Sequence, residues 1–530
     1  MDFSGLPRAE LTDDGGKPLE AQLCVTAHIA QTVAEALRQN WAVMAAGGLT
    51  SAIGSYDYKA EDVADRFKGV VAIRPKGALA AERVAADTPL DQILTHQVAI
   101  AADQGLVSAG AGLTFTQVNA ALAEAVGPTS RILVDLTSIA SAYVGGVVAT
   151  GGMGPLRLLP SASLEAVCLA DGESTRIVEG EALGTVEGMQ GWTGMVTAAR
   201  FRFYDVPASE FGLVLPVQGS DVDTVAGLLA YLHAWTRITL PAPGGRITGE
   251  GGDTVLNGIE LVSKDSLEAF IAHAEEPARS KAEGLLQSCE YAGADMLACL
   301  TGWSELSIDD VLMSLLDPET ETIGGVMIDF GVGFSSGAEM ETFRAIREGA
   351  PDLARTRARV VQPGKLKPWS TSTDINIIMP ADSSALVAVL EAYADYRGAI
   401  RALGRELAGS IEVELSAYGH LSPMGIDPHH RVTLFAPEGG EAALAAARLA
   451  VAANKRTLIH DLLFAAERHG ATITGGEKGA PSLVEIARAA GGEGRLAPAL
   501  KARLRKARAA VMAAPANFSF RAPKELRTED

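Results

Sequence analysis

Short apolar runs separated by glycine turns and helical patterns fill the first part of the chain. Runs at 41–46, 70–73 and 106–110 predict buried strands, because each is compact, apolar and ends near turn-forming residues. The segment 22–38 has apolar side chains at intervals of four, which predicts an amphipathic helix. Strands and helices alternate in this way up to about residue 204, where a proline-bearing segment ends the series.

The middle of the chain has a different pattern. A long helical period over 383–407 is followed by apolar strands at 411–418 and 431–435, which enclose a loop containing proline and histidine. Strands that alternate with long helices indicate an α+β domain with helices packed on an antiparallel sheet. From about residue 440 the pattern is almost entirely helical.

The length of 530 residues is too great for a single hydrophobic core, so several domains are expected. The changes in pattern divide the chain into residues 1–212, residues 213–440 and a helical C-terminal segment at 441–530.

The composition excludes several classes of protein. A net charge of -20 argues against a nucleic-acid partner, since a polyanion requires a basic surface. The four cysteines have no CxxC spacing, which disfavours a disulfide framework or an iron–sulfur cluster. No signal peptide and no long apolar run are visible, so the interpretation is a cytoplasmic protein.

The glycine-rich stretch from Val134 to Gly172 is the strongest indication of a ligand. Gly145, Gly146 and Gly151 lie close together in it, around a small apolar run. Glycine lets a ligand approach main-chain amides, and successive inward amides bind an anion such as a diphosphate. A second glycine pair, at Gly47 and Gly48, follows the predicted strand at 41–46. Tight turns without a ligand are the alternative interpretation of either loop alone.

Seven motifs in chain order resemble the FAD-linked oxidase and dehydrogenase family related to vanillyl-alcohol oxidase. The branch most resembled is that of the D-lactate, glycolate and D-2-hydroxyglutarate dehydrogenases. The motifs are AAGGLTS at 45–51, VSAGAGLTFTQV at 107–118, the glycine-rich stretch 134–172, QGWTGMVTAARFRFYDVP at 190–207, RAIREGAPDLAR with STSTDINIIMP, AYGHLSPMGIDPHHRVTL, and TITGGEKGA.

The resemblance implies an α+β fold, with a two-part FAD-binding domain of the vanillyl-alcohol oxidase type and a cap domain built on an antiparallel sheet. It also implies noncovalent FAD, because no histidine or cysteine occurs between Asn40 and Leu94 to form a covalent link. The cofactor-binding residues carried over from the family are Gly47, Gly48, Thr50, Ser51, Gly145, Gly146, Gly151, Gly194 and Val196.

The substrate side is predicted from chemistry and from the same resemblance. Arg347 matches the family position that clamps a carboxylate, a role that suits the fork of a guanidinium. His420 or His429 is a candidate general base. Lys478 stands where relatives carry a histidine often discussed as the base, so it is a further catalytic candidate.

Binding of a divalent metal such as zinc is the alternative prediction for the same region. Imidazole nitrogens and a carboxylate form a suitable ligand set, here His420, His430 and Glu477. The chain departs from the family at this point, because Asp427 occupies the place of the second family histidine.

The predicted function is an FAD-dependent oxidoreductase that transfers hydride from a D-2-hydroxy acid of the lactate, glycolate or 2-hydroxyglutarate type to flavin N5. The expected partners are the substrate and an electron acceptor, namely a quinone, a cytochrome or a partner protein. A homodimer and a membrane-surface contact through the basic segment 500–512 are open alternatives. The alternative functions are oxidation of a different alcohol on the same fold, or a non-catalytic flavin-binding subunit.

Overall fold

Two groups of sheets, each covered by helices, build the protein. The structure is a computed structural model that describes residues 2–9, 20–47, 58, 60–134, 139–152, 163–217, 221–326, 331–357, 360–373, 375–378, 384–423, 425–475 and 479–528.

The first group lies in the N-terminal part. Its strands are β1 (Ala21–Thr26), β2 (Ala42–Ala45), β3 (Val70–Pro75), β4 (Glu82–Val84), β5 (Gln97–Ala101), β6 (Leu106–Gly110), β7 (Ser130–Arg131), β8 (Leu164–Ala170), β9 (Thr175–Glu179), β10 (Met195–Arg202) and β11 (Tyr204–Asp205). Its helices are α1 (Ile29–Arg38), α2 (Ala60–Val63), α3 (Phe115–Ala125) and α4 (Val144–Thr150).

These strands form two main sheets that bring glycine-bearing turns together. A parallel sheet has the order β1-β3-β2, and a larger sheet has the order β4-β5-β6-β10-β8-β9. Helix α3 begins at a capping box, in which the Thr114 hydroxyl accepts from the Gln117 amide and the Gln117 side chain accepts from the Thr114 amide. The predicted strands near residues 42, 70 and 106, and the helix after them, are confirmed.

The second group follows in the chain. Its strands are β12 (Ser209–Pro216), β13 (Ile238–Thr239), β14 (Thr248–Gly249), β15 (Val255–Ser263), β16 (Met296–Ser304), β17 (Val332–Phe334), β18 (Trp369–Ser372), β19 (Asn376–Ile378), β20 (Glu412–Ser422), β21 (Gly425–Phe435) and β22 (Thr472–Gly475). Its helices are α5 (Val222–Trp235), α6 (Lys264–Ile271), α7 (Ala278–Ala292), α8 (Ile308–Leu315), α9 (Gly337–Arg357), α10 (Ser384–Glu406), α11 (Glu441–His469), α12 (Ala480–Ala489), α13 (Pro498–Ala513), α14 (Ala516–Ser519) and α15 (Lys524–Arg527).

One large antiparallel sheet dominates this second group. Among the described residues it contains nine strands, in the order β17-β12-β16-β15-β20-β21-β19-β22, with β18 paired to β21. The prediction of an α+β fold with an antiparallel sheet under helices is therefore confirmed.

The two faces of the large sheet pack against different apolar clusters. On β16, Ala298 and Leu300 belong to the core that includes residues of α5, α10 and α11, while Leu297 and Cys299 face the core with α6, α7 and α9. Successive strand residues point to opposite faces, so this alternation assigns every residue of the central strands to one side. We call the side of Cys299 the α9 face and the side of Leu300 the α10 face.

Three local predictions are wrong. The segment 22–38 is not one helix, because β1 occupies its first part and leaves Val25 about half exposed. The segment 144–150 of the predicted second phosphate loop is a short helix, α4, and not an irregular loop. The histidines lie within β20 and β21 and not in a loop between shorter strands.

The basic segment near 500–512 forms α13, and several of its charges are used inside the chain. Lys506 donates to the Glu181 carbonyl at 2.6 Å, while Arg505 and Arg508 both pair with Glu493. None of the helices in the described ranges combines the length and apolar character needed to cross a membrane.

Candidate functional site

The two predicted phosphate loops approach each other through paired glycines. Gly47 follows β2, and Gly146 lies in the first turn of α4. A Cβ placed on Gly47 would lie 3.5 Å from the Gly146 Cα, and one placed on Gly146 would meet no described atom nearer than the Gly47 Cα at 4.0 Å. The two bare backbones therefore lie next to each other, and among the described residues only main-chain atoms come within 4 Å of either added Cβ. Gly48, Thr50 and Ser51 lie outside the described residues.

The other glycines of the second loop have structural roles. A Cβ on Gly145 would come within 2.8 Å of the Ala111 Cβ, and the Gly145 amide donates to the Ala111 carbonyl at 3.1 Å. Gly151 ends α4 in the left-handed conformation, with φ of 71°. Gly145 thus sets the close packing of α4 on the turn after β6, and Gly151 stops the helix.

The segment before β10 crosses close to both loops. A Cβ placed on Gly191 would lie 3.1 Å from the Ala45 Cβ, at the end of β2. The Gln190 amide donates to the Ala149 carbonyl of α4 at 2.8 Å. Gly194 has a φ of 143° and packs on Leu169 of β8, which pairs in register with the buried Val196. Gly194 thus directly precedes β10 and Val196 lies on it, next to the segment that contacts Ala45 and α4.

A second glycine contact joins this segment to the C-terminal region. Gly479 has a φ of 64°, and a Cβ there would lie 2.4 Å from the Gly188 carbonyl oxygen. The Ala480 amide donates to the same carbonyl at 3.0 Å. The turn that precedes α12 is therefore held against the predicted flavin segment. Glu477 and Lys478, both predicted site residues, lie outside the described residues.

A row of chemically reactive side chains crosses four strands on the α9 face. In register, Cys299 of β16 is opposite Glu260 of β15, Glu260 is opposite His420 of β20, and His420 is opposite Asp427 of β21. All four are buried, with exposed fractions of 6 % or less. His420 Nδ1 lies 2.9 Å from Glu260 Oε2. The row thus places an imidazole between two carboxylates.

The Cys299 thiol in this row is inert. Burial, with a smaller contribution from the Glu260 charge, raises the pKa of Cys299 to about 12, while Arg347 acts in the opposite direction. A thiol with such a pKa stays protonated and is a poor nucleophile. The opposing effects of Glu260 and Arg347 also show that both charges lie close to the same sulfur.

His429 belongs to the same face, one row further along. It pairs in register with Tyr418, and their rings stack at 5.3 Å with an interplanar angle of 8°. Its Nε2 lies 3.5 Å from Asp427 Oδ2, and its ring meets that of His420 edge-on at 5.0 Å. His420 and His429 therefore form one pair of adjacent imidazoles, each beside a carboxylate.

Arg347 reaches this face from α9. Its Nη1 donates to the Thr301 hydroxyl at 2.7 Å, and its Nη2 donates to Glu348 at 2.9 Å. Thr301 lies two residues from Cys299 on the same side of β16, and its partner in register, Gly258, has no side chain. The exposed fraction of Arg347 is 3 %. Arg347 thus lies at the row next to the one that contains His420, over the face that also carries His429.

The competing arginines of α9 are engaged elsewhere. Arg344 is partly exposed and pairs with Glu210, while Arg357 pairs with Glu414 and Glu412 at the far end of β20. Of the α9 arginines whose side chains are described, Arg347 alone is buried.

His430 lies on the opposite side of the sheet, which contradicts the predicted metal site. Because it follows His429 in a strand, its side chain points to the α10 face, where it stacks on Tyr393 at 4.5 Å. Burial lowers the pKa of His430 well below its usual range, and the charges of Arg397 and His429 act in the same direction. His420 and His430 cannot bind one ion across the sheet. Among the described residues, no group of His, Cys, Asp and Glu side chains is arranged to hold a metal.

Sequence reasoning missed Glu260 as a site residue. Its signal is a single carboxylate within the apolar strand Val255–Ser263, in which all nine residues are buried. A buried carboxylate is costly unless it has a partner, so this position merited attention. Asp427 was noted only as a departure from the family, and the structure places it between His420 and His429.

Comparisons with known proteins identify the fold. No family model and no curated protein matches the sequence. Two solved structures of an alkyldihydroxyacetonephosphate synthase, in crystal forms P212121 and P1, are similar to this chain. The first structure has a TM-score of 0.56 and 12% sequence identity, and the match covers 86% of this chain and 73% of that chain. The second has a TM-score of 0.52 and 11% sequence identity, and the match covers 86% of this chain and 74% of that chain. The chain therefore shares the fold of these two structures.

Proposed function

We propose that this protein is an FAD-dependent oxidoreductase that oxidises the C–OH group of an anionic substrate, with a 2-hydroxy acid as the first candidate. The observation that carries the proposal is the burial of Arg347 and His420 on one sheet face. A guanidinium that binds an anion and an imidazole that accepts a proton are the two groups this oxidation needs.

The paired glycines fit the cofactor. Gly47 and Gly146 present adjacent main chains without side chains, as expected where a diphosphate contacts the backbone. Gly191 and Gly194 bring the β10 segment to the border of the same region. When bound, FAD supplies the acceptor for the hydride that leaves the substrate carbon.

The protein's own residues bind the substrate and remove the proton. Arg347 holds the carboxylate through its fork of N–H donors, in competition with Glu348. His420 accepts the hydroxyl proton, so that the C–OH carbon becomes a carbonyl as its hydride departs. His429 stands beside His420 and provides the next site for that proton. The electrons then pass to a quinone, a cytochrome or a partner protein.

A second candidate substrate carries a phosphate group. The two similar structures are those of a synthase whose name contains a phosphate ester, alkyldihydroxyacetonephosphate. A guanidinium binds phosphate as readily as carboxylate, so Arg347 suits both anions. A substrate panel distinguishes the two.

The test is anaerobic mixing of the FAD-loaded protein with D-lactate, glycolate, D-2-hydroxyglutarate and dihydroxyacetone phosphate. We expect at least one hydroxy acid to bleach the flavin absorbance. We expect His420→Ala to lower the bleaching rate by about 100-fold or more, because general-base catalysis contributes that much, while FAD content stays unchanged.

The matched control is His96→Ala, which removes a histidine that pairs with Glu82 at the surface, 3.2 Å away. It is expected to leave the bleaching rate as in the wild type. Bleaching by none of the hydroxy acids would refute the 2-hydroxy acid assignment. Equal losses of FAD and of rate in His420→Ala would assign His420 to folding.

A further inference from the structure

Glu260 is a buried carboxyl side chain that has no role in the proposed reaction so far. Its exposed fraction is 1 %, and neither of its oxygens accepts a hydrogen bond from a described residue. Taking a carboxylate out of water costs several kcal/mol unless a partner compensates it. An aliphatic residue would suit the surrounding strand better, so retention of a carboxylate requires a reason.

Among the described residues, His420 is the group that lies within ion-pair distance of Glu260. Cys299, opposite it on β16, is a neutral thiol and brings no positive charge. Arg347 is bound to Thr301 and Glu348 on the neighbouring row. His420, opposite it on β20, lies with Nδ1 2.9 Å from Glu260 Oε2.

The contact between Glu260 and His420 is close but not aligned. The two atoms are within ion-pair distance, yet the N–H direction falls outside hydrogen-bond geometry, and His420 Nδ1 has no other hydrogen-bond partner among the described residues. At this distance a hydrogen bond between the two atoms depends only on the orientation of the ring. Because a carboxylate only accepts, that bond requires the proton to be on Nδ1.

We propose that Glu260 is a positioning residue that fixes the tautomer of His420, with the proton on Nδ1 and the lone pair on Nε2. The inference rests on the proposed function, in which His420 takes the substrate proton, and it names the atom that does so. Nε2 is the nitrogen turned away from Glu260, and only its lone pair is free to accept. As His420 becomes positively charged, the buried carboxylate beside it stabilises that charge.

Asp427 does not replace Glu260 in this role. It is opposite His420 in register, but its ion pair is with His429 Nε2 at 3.5 Å. Each imidazole thus has its own carboxylate, and the two pairs meet where the rings contact edge-on at 5.0 Å.

The test combines a direct observation of the ring with a rate. Nitrogen NMR of the histidine-labelled, FAD-loaded protein reports which ring nitrogen carries the proton, and His420→Gln assigns the signal. We expect a protonated Nδ1 and an unprotonated Nε2 in the wild type. In Glu260→Gln the amide can donate to Nδ1, so the proton is expected to move to Nε2 and the bleaching rate to fall by about 100-fold.

Substrate affinity and FAD content separate positioning from folding. Both are expected to stay within about threefold of the wild type in Glu260→Gln, because Arg347 and the glycine loops are untouched. The matched control is Glu414→Gln, on the same face of β20 but paired with Arg357, and it should change neither tautomer nor rate. Glu260→Asp keeps the charge and is expected to retain the Nδ1 proton, with a smaller loss of rate.

Several results would overturn the inference. A wild-type His420 with its proton on Nε2, or with both nitrogens protonated at the assay pH, contradicts it without any variant. A tautomer unchanged by Glu260→Gln also contradicts it. If no hydroxy acid bleaches the wild type, the 2-hydroxy acid assignment fails, while the wild-type NMR result still decides the role of Glu260.

Discussion

Replacing Arg347 by alanine is expected to weaken binding of the anionic substrate by about 100-fold, which corresponds to roughly 3 kcal/mol. The guanidinium is almost fully buried, so a bound carboxylate has little water to replace it. Removal of Arg347 would leave that carboxylate without its charged partner in a low-dielectric site, which is the costly case. The measurement is the substrate dependence of flavin bleaching.

Two further variants make this prediction specific. Arg347→Lys keeps the charge but loses the fork of donors, so we expect a loss of affinity between those of the wild type and the alanine variant. Arg344→Ala removes an exposed arginine of the same helix that pairs with Glu210, and it should leave affinity unchanged. An unchanged affinity in Arg347→Ala, with normal FAD content, would remove Arg347 from the substrate site.

Gly146→Ala is expected to weaken FAD binding by roughly 10-fold to 100-fold, the equivalent of an overpacking cost of about 1–3 kcal/mol. The nearest described protein atom to the new methyl would be the Gly47 Cα, 4.0 Å away. The fold itself should not suffer, since alanine in a helix is favoured over glycine by up to about 1 kcal/mol. Titration with FAD and thermal unfolding without FAD measure the two effects.

Neighbouring glycines provide the controls. Gly172→Ala adds a methyl with nothing within 4 Å, and FAD affinity should stay as in the wild type. Gly145→Ala places its methyl 2.8 Å from the Ala111 side chain and is expected to lower the stability of the FAD-free protein. Normal FAD affinity in Gly146→Ala would show that the diphosphate does not lie between the paired glycines.

Local sequence patterns predicted helices and strands correctly where one hydrophobic periodicity continued over the whole segment. The helix at 383–407 appears as α10, Ser384–Glu406, because its apolar face repeats over many turns. The start of α3 was correct because Thr114 and Gln117 provide a capping box. The prediction of one helix over 22–38 was wrong. Val25 and Ile29 have the spacing of residues on one helix face, but Val25 lies in β1 and Ile29 begins α1.

The histidine region could not be predicted from local pattern. Pro423, Gly425 and Pro428 suggested a loop, yet β20 and β21 continue through it as an antiparallel pair. Because the sheet is covered on both faces, polar side chains occur in strands that lack the usual alternation. Only the strand assignment shows that His420 and His430 lie on opposite faces of the sheet, so the predicted metal set is not supported.

Contacts between distant strands define the rest of the site. Glu260 and His420 are far apart in sequence and meet only because β15 pairs with β20. Gly188 and Gly479 likewise meet across the fold. A motif comparison named His420 but had no means of identifying the carboxylate beside it.

The most direct test of the whole account is whether the purified chain binds FAD. The protein freed of ligand should be titrated with FAD and followed by flavin fluorescence and absorbance, with Gly146→Ala alongside. The account predicts saturable binding of one FAD per chain, released on denaturation without a covalent link, and weaker in the variant. A chain that binds no FAD under native conditions would contradict the proposed function.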